Sequence, residues 1–271
     1  MAERPHREGL AHRRFRATVE YDGTEFAGFQ VQPGQRTVQG VLEAALARLT
    51  GGTRQAVDGA GRTDAGVHAS GQVIAFGYDG PLDVTALTEA LNGNLPSDVA
   101  IRDLRRAPRG FHPRFAARYR EYRYTIWNGP RSPLRERTAF RVRNRLDEGA
   151  MARAAVTLEG RHDFSAFGGT DPQPVRTIHR IAVRRRGDEV TIDVRADAFL
   201  RGMVRRIAAA LIGVGVGRWD EAAVGQALAG RTPAFDGAAA PARGLNLRRV
   251  ALGRRSGRSV EREQTRTNED A

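Results

Sequence analysis

The stretch GAGRTDAGVHASGQV, Gly59 to Val73, sets a single acidic residue, Asp64, among glycines and small side chains, with Arg62 two places before it. Backbone of that kind lets a bulky ligand approach closely, and an adjacent guanidinium favours the ionised carboxyl. A carboxylate nucleophile is presented in this way. The plainer reading of Arg62 and Asp64 is a tight loop braced by an Asx turn and a surface ion pair. A dinucleotide cradle is a poor fit, because Gly59, Gly61 and Gly66 lack the GxGxxG spacing. The loop also leads into a short strand, Gln72 to Phe76, where a phosphate site needs a helix N-terminus.

On the N-terminal side, FRATVEY (Phe15 to Tyr21) alternates apolar and polar residues like a half-buried strand. Thr37 caps an amphipathic helix whose apolar face is Val38, Val41, Leu42, Ala45, Leu46 and Leu49. Asp83 starts a second helix, and strands are expected at Val99 to Asp103 and Arg120 to Trp127. Asp147 caps a helix through Leu158, and two strands follow near Ile178 to Arg185 and Val190 to Ala196. Phe199 to Val216 is the most apolar segment and reads as a buried helix. A short helix between Asp220 and Gly230 precedes a last strand, Leu245 to Val250.

This order predicts an α+β fold of two similar lobes, each a mixed or antiparallel sheet with helices on its outer face and a cleft between them. The expected divisions are a flexible basic arm over 1–14, a lobe over 15–130 carrying the Asp64 loop, a lobe over 131–253, and a disordered tail over 254–271.

All 44 basic residues are Arg, and the formal net charge is +13. Codon bias accounts for Arg in place of Lys; the distribution is more telling. Residues 101–150 hold 14 Arg against 5 acidic residues, a local excess of nine positive charges. Clustered guanidiniums are the footprint of a nucleic-acid binder, and also of a plain solvated basic face. With no Cys there is no thiolate nucleophile and no Cys-ligated zinc, and with no Lys there is no Schiff base or Walker A lysine. The six histidines have no metal-ligand spacing. No stretch approaches the roughly 20 apolar residues that cross a bilayer, and the basic N-terminus has no apolar region behind it. A cytoplasmic protein is expected.

The loop run, together with YDGTEFAGFQVQP (Tyr21 to Pro33), TVQGVLEAAL (Thr37 to Leu46), ARYREYRYTIWN (Ala117 to Asn128), HDFSAFG (His162 to Gly168), AFLRGMVRRI (Ala198 to Ile207) and PARGLNL (Pro241 to Leu247), resembles the TruA family of tRNA pseudouridine synthases. The likeness runs from about Phe15 to Val250. It departs at Phe29, where GWQ is common, and at Arg201-Gly202, where some members carry histidines. The resemblance implies an isomerase that converts uridine to pseudouridine in the anticodon stem-loop of tRNA, at positions 38 to 40. It implies a homodimer, and no metal or other cofactor.

By the same resemblance Asp64 is the catalytic carboxylate and Arg62 helps expel the target nucleotide from its stack. Tyr122 stacks on the uracil, although by periodicity alone Tyr122, Tyr124 and Ile126 form a core stripe. Arg205, in a helix where an unpaired guanidinium would be costly, holds Asp64 in place. Leu245 forms the apolar wall of the uracil pocket, or is an ordinary strand residue. His68 shapes the loop. The alternative function is a non-catalytic RNA-binding protein of the same fold; phosphoryl transfer is disfavoured by the missing Lys and the glycine spacing.

Overall fold

A computed structural model of the chain describes residues 13–168, 171–230 and 238–253. Most of the arm expected over 1–14 and the tail expected over 254–271 lie outside these residues. In chain order the strands are β1 (Arg14–Tyr21), β2 (Val57–Gly59), β3 (His68–Gly77), β4 (Val99–Arg106), β5 (Ala117–Trp127), β6 (Phe140–Arg141), β7 (Gly160–Asp163), β8 (Val175–Arg186), β9 (Glu189–Ala196) and β10 (Leu245–Leu252). The helices are α1 (Val38–Leu49), α2 (Val84–Asn94), α3 (Pro113–Ala116), α4 (Glu148–Val156), α5 (Met203–Gly215) and α6 (Ala222–Leu228).

The expected α+β class holds. Helix starts follow from side chains that satisfy the first free N–H groups: Thr37 accepts from Gly40, Asp83 from Ala86 and Asp147 from Ala150. Helix α5 begins at Met203 and not at Phe199, because Gly202 takes φ +69°, a left-handed turn that a side chain resists. From there Met203, Ile207, Leu211 and Val214 are buried along one face. Each contributes about 1.5–3 kcal/mol of hydrophobic stabilisation.

The strands form one continuous sheet in the order β4-β1-β3-β10-β5-β9-β8-β7, with β2 added on β3 and β6 on β5. The join between the first and last parts of the chain is β10. It pairs parallel to β3, Asn246 opposite His68, and antiparallel to β5, Leu247 opposite Tyr122. By pairing, β5 sits with the later strands, flanked by β9 and β10. The last strand thus brings the Asp64 loop, which ends at β3, to within one strand of Tyr122.

Alternation gives β5 two unlike faces. Tyr122, Tyr124 and Ile126 are buried in the core on one, while Glu121 and Arg123 lie on the other, in ion pairs with Arg195 and Asp193 of β9.

Candidate active site

The loop between β2 and β3 is held from several sides before Asp64 is reached. Phe29 donates its backbone N–H to Thr63 O at 3.0 Å, and Gly66 donates to Phe26 O at 3.2 Å. Beneath it, Gln72, fully buried, donates from Nε2 to Gly61 O at 2.8 Å, and the Tyr21 hydroxyl bonds Thr63 Oγ1 at 2.8 Å. Burial raises the Tyr21 phenol well above its ordinary range, so it stays a neutral partner. Phe29 is itself buried, and a Cβ on Gly59 would lie 2.5 Å from its ring. The aromatic at position 29 therefore depends on glycine at 59.

His68 closes the loop. Its Nδ1 accepts from Gly23 N–H at 3.0 Å, and Nε2 lies 2.8 Å from Arg137 O, so with the first nitrogen accepting, the second donates. These bonds tie the start of β3 to the segments at Gly23 and Arg137.

Asp64 is half-buried, with 31% of its side chain exposed. Its ion pair is with Arg205, from the first turn of α5, Nη1 to Oδ2 3.5 Å. Arg205 is fixed in turn, its Nε donating to Ala240 O at 2.7 Å while Ala240 N–H donates to Arg205 O at 3.0 Å. A pair this open to water contributes under about 1 kcal/mol to stability, so its effect is orientation. The neighbouring Arg206 turns away and donates to Arg201 O.

Arg62 was expected to lie against Asp64. It is exposed and forms no ion pair among the described residues, and Arg205 takes the place beside the carboxylate.

Tyr122 is buried, and Phe199 packs edge-to-face on it with ring centroids 5.1 Å apart. Burial pushes its phenol up to about 12; the Arg120 guanidinium works against that shift and the Asp64 carboxylate with it. The hydroxyl thus lies within the field of both charges and is a neutral donor at physiological pH. Leu245, buried, pairs with Tyr124 across the β10–β5 ladder, diagonal to Tyr122 on the same face. Asp64 thus pairs with Arg205, its charge acts on Tyr122, and Leu245 lies diagonal to Tyr122 on the same face, while Arg62 is exposed.

Arg120 was not singled out by sequence. It shares the Tyr122 face of β5 two residues earlier, and donates to Ala60 O at 2.6 Å and Asp197 O at 2.8 Å. Strand parity was the available signal.

The tRNA pseudouridine synthase family matches the chain over residues 17–116 and 154–251. A tRNA pseudouridine synthase A from Myxococcus xanthus is 46% identical over 242 residues, covering 88% of this chain and 91% of that protein. Those from Brevibacillus brevis (44% over 239 residues; 87% and 98% covered) and Thermotoga neapolitana (43% over 243 residues; 88% and 99% covered) are similar. Among solved structures, an archaeal box H/ACA sRNP Nop10–Cbf5 complex matches with a TM-score of 0.30 and 14% identity, covering 73% of this chain and 44% of that one. That likeness carries no weight beside the sequence matches. With such identities spread over nearly the whole length of its relatives, the chain belongs to the tRNA pseudouridine synthase family.

Proposed function

We propose that the protein isomerises uridine to pseudouridine in the anticodon stem-loop of tRNA, at positions 38 to 40, with Asp64 as the nucleophile. The observation that carries this reading is the Asp64–Arg205 pair beside the Tyr122 hydroxyl, on a loop anchored from β1, β3 and the segment before α1. Asp64 supplies an electron pair to the nucleoside, the bond from uracil N1 to the ribose breaks, and the detached ring turns. A bond from C5 to the ribose then forms, the Asp64 carboxylate departs with its electron pair, and the proton lost from C5 is matched by one taken up at N1. Substrate and product have the same formula, so no oxidant, reductant or cofactor enters the balance.

Arg205 orients the carboxylate. The Tyr122 ring stacks on the uracil, its phenol held protonated by burial, and Leu245 closes the apolar wall. Arg62, exposed at the rim, occupies the gap left by the everted uridine. Phosphates are gripped by Arg106, Arg109, Arg114, Arg131 and Arg143 of the basic stretch, which are exposed and outside salt bridges among the described residues. A homodimer, working in the cytoplasm, completes the reading, with one tRNA touching both subunits.

The test is to incubate the protein with unmodified tRNA and map carbodiimide-dependent stops of reverse transcription. Stops confined to the anticodon arm, absent with Asp64→Ala, support the reading. Stops elsewhere refute the assigned positions, and stops that persist in the variant refute the nucleophile.

A further inference from the structure

Arg120 lies in the most basic fifth of the chain, where every guanidinium is a candidate phosphate contact. Its geometry is that of an inward clamp. From the middle of the sheet it donates Nη2 to Ala60 O at 2.6 Å, Nη1 to Asp197 O at 2.8 Å, and again Nη2 to Arg114 O at 3.3 Å. A methyl group on Gly61 would come 3.6 Å from its Nε. These acceptors belong to three separate segments: the glycine loop four residues before Asp64, the β9–α5 connection that carries Phe199 and leads to Arg205, and the helix before β5.

We propose that Arg120 is a positioning residue for the reaction, fixing the Asp64 loop against the segment that delivers Phe199 and Arg205, and that it makes no phosphate contact. The planar fork suits this role, since its two terminal nitrogens reach separate carbonyls in a fixed geometry that the single nitrogen of a Lys ammonium reproduces only in part. Its positive charge also reaches the Tyr122 hydroxyl. Loss of the clamp lets the loop carrying Asp64 drift from Arg205 and Tyr122. Displacement of about 1 Å at a reacting group costs roughly 10²-fold in rate.

The inference rests on Asp64 as the reacting group, so the experiment carries Asp64→Ala beside it. Wild type, Arg120→Met, Arg120→Lys and the exposed neighbour Arg118→Met are compared for tRNA affinity, salt dependence of binding, and single-turnover conversion of bound tRNA. The expected result is conversion slowed roughly 10²-fold in Arg120→Met and partly restored in Arg120→Lys, with affinity and salt slope near wild type. Arg118→Met should leave the rate intact. Weaker binding with a shallower salt slope and an unchanged rate would make Arg120 a phosphate contact and overturn the proposal. Fewer competent molecules, each converting bound tRNA at the wild-type rate, would make it merely structural and overturn it as well. Should Arg120→Met fail to fold, Arg120→Lys decides on the same readouts. Full activity in Asp64→Ala would instead remove the nucleophile reading and leave the clamp geometry unassigned.

Discussion

Two aspartates, Asp64 and Asp193, are associated with opposite faces of β5, and their side chains are similarly exposed, 31% and 26%. Asp193 is saturated. Arg123 grips both its oxygens at 2.7 and 3.1 Å, and Arg184 adds a third contact at 3.0 Å. Among the described residues Asp64 has one guanidinium, at 3.5 Å on one oxygen. Exposure does not separate the two residues, but use of their lone pairs does. A carboxylate clamped on every side holds strands together, whereas one steered from a single side retains an electron pair for a substrate.

The comparison breaks most sharply under matched substitution. Asp64→Ala should abolish pseudouridine formation while tRNA affinity stays within roughly tenfold, about 1.4 kcal/mol; equal loss of binding would make Asp64 structural. Asp193→Asn should do the reverse, costing about 1 kcal/mol of stability, read as a lower denaturant midpoint, with activity per folded molecule unchanged. Tyr122 sharpens the same contrast, because its ring faces Asp64 and its neighbour Arg123 faces Asp193. Tyr122→Phe should keep stacking and retain more activity than Tyr122→Ala, and indistinguishable variants would exclude a stacking role.

A smaller effect is expected from the phenol. Burial raises the folded pKa of Tyr122 from 10.0 to about 12, so its contribution to stability is complete below pH 10 and is lost as pH climbs toward 12. In that window Tyr122→Phe should flatten the loss by at most about 1.4 kcal/mol per pH unit. An unchanged slope in alkaline unfolding would mean the hydroxyl is not desolvated.

Much of this contrast could be anticipated from local signals, and the remainder depended on distant ones. Caps at Thr37, Asp83 and Asp147 are encoded within three residues and were legible. The short strands β2, β6 and β7 were not, since two to four residues carry no period. Asp64 stood out because small neighbours leave it conspicuous. Its partner was not legible from local sequence, where Arg62 is nearest; the resemblance implied Arg205, 141 positions later, and the ion pair is made by Arg205, through a helix whose start is set by Gly202. Arg120 was hidden among Arg118 and Arg123 on one strand. Parity separates Arg120 from Arg123, but only the fold reveals that Ala60 and Asp197 supply its carbonyls.

The central claim is that Asp64 is the carboxylate left free to react. It is tested most directly by release of tritium from tRNA labelled at uridine C5, since the proposed bond to the ribose expels that hydrogen. Wild type and Asp193→Asn should release label at the same rate per folded molecule, and Asp64→Asn should release none. Release by Asp64→Asn at the wild-type rate would contradict the account.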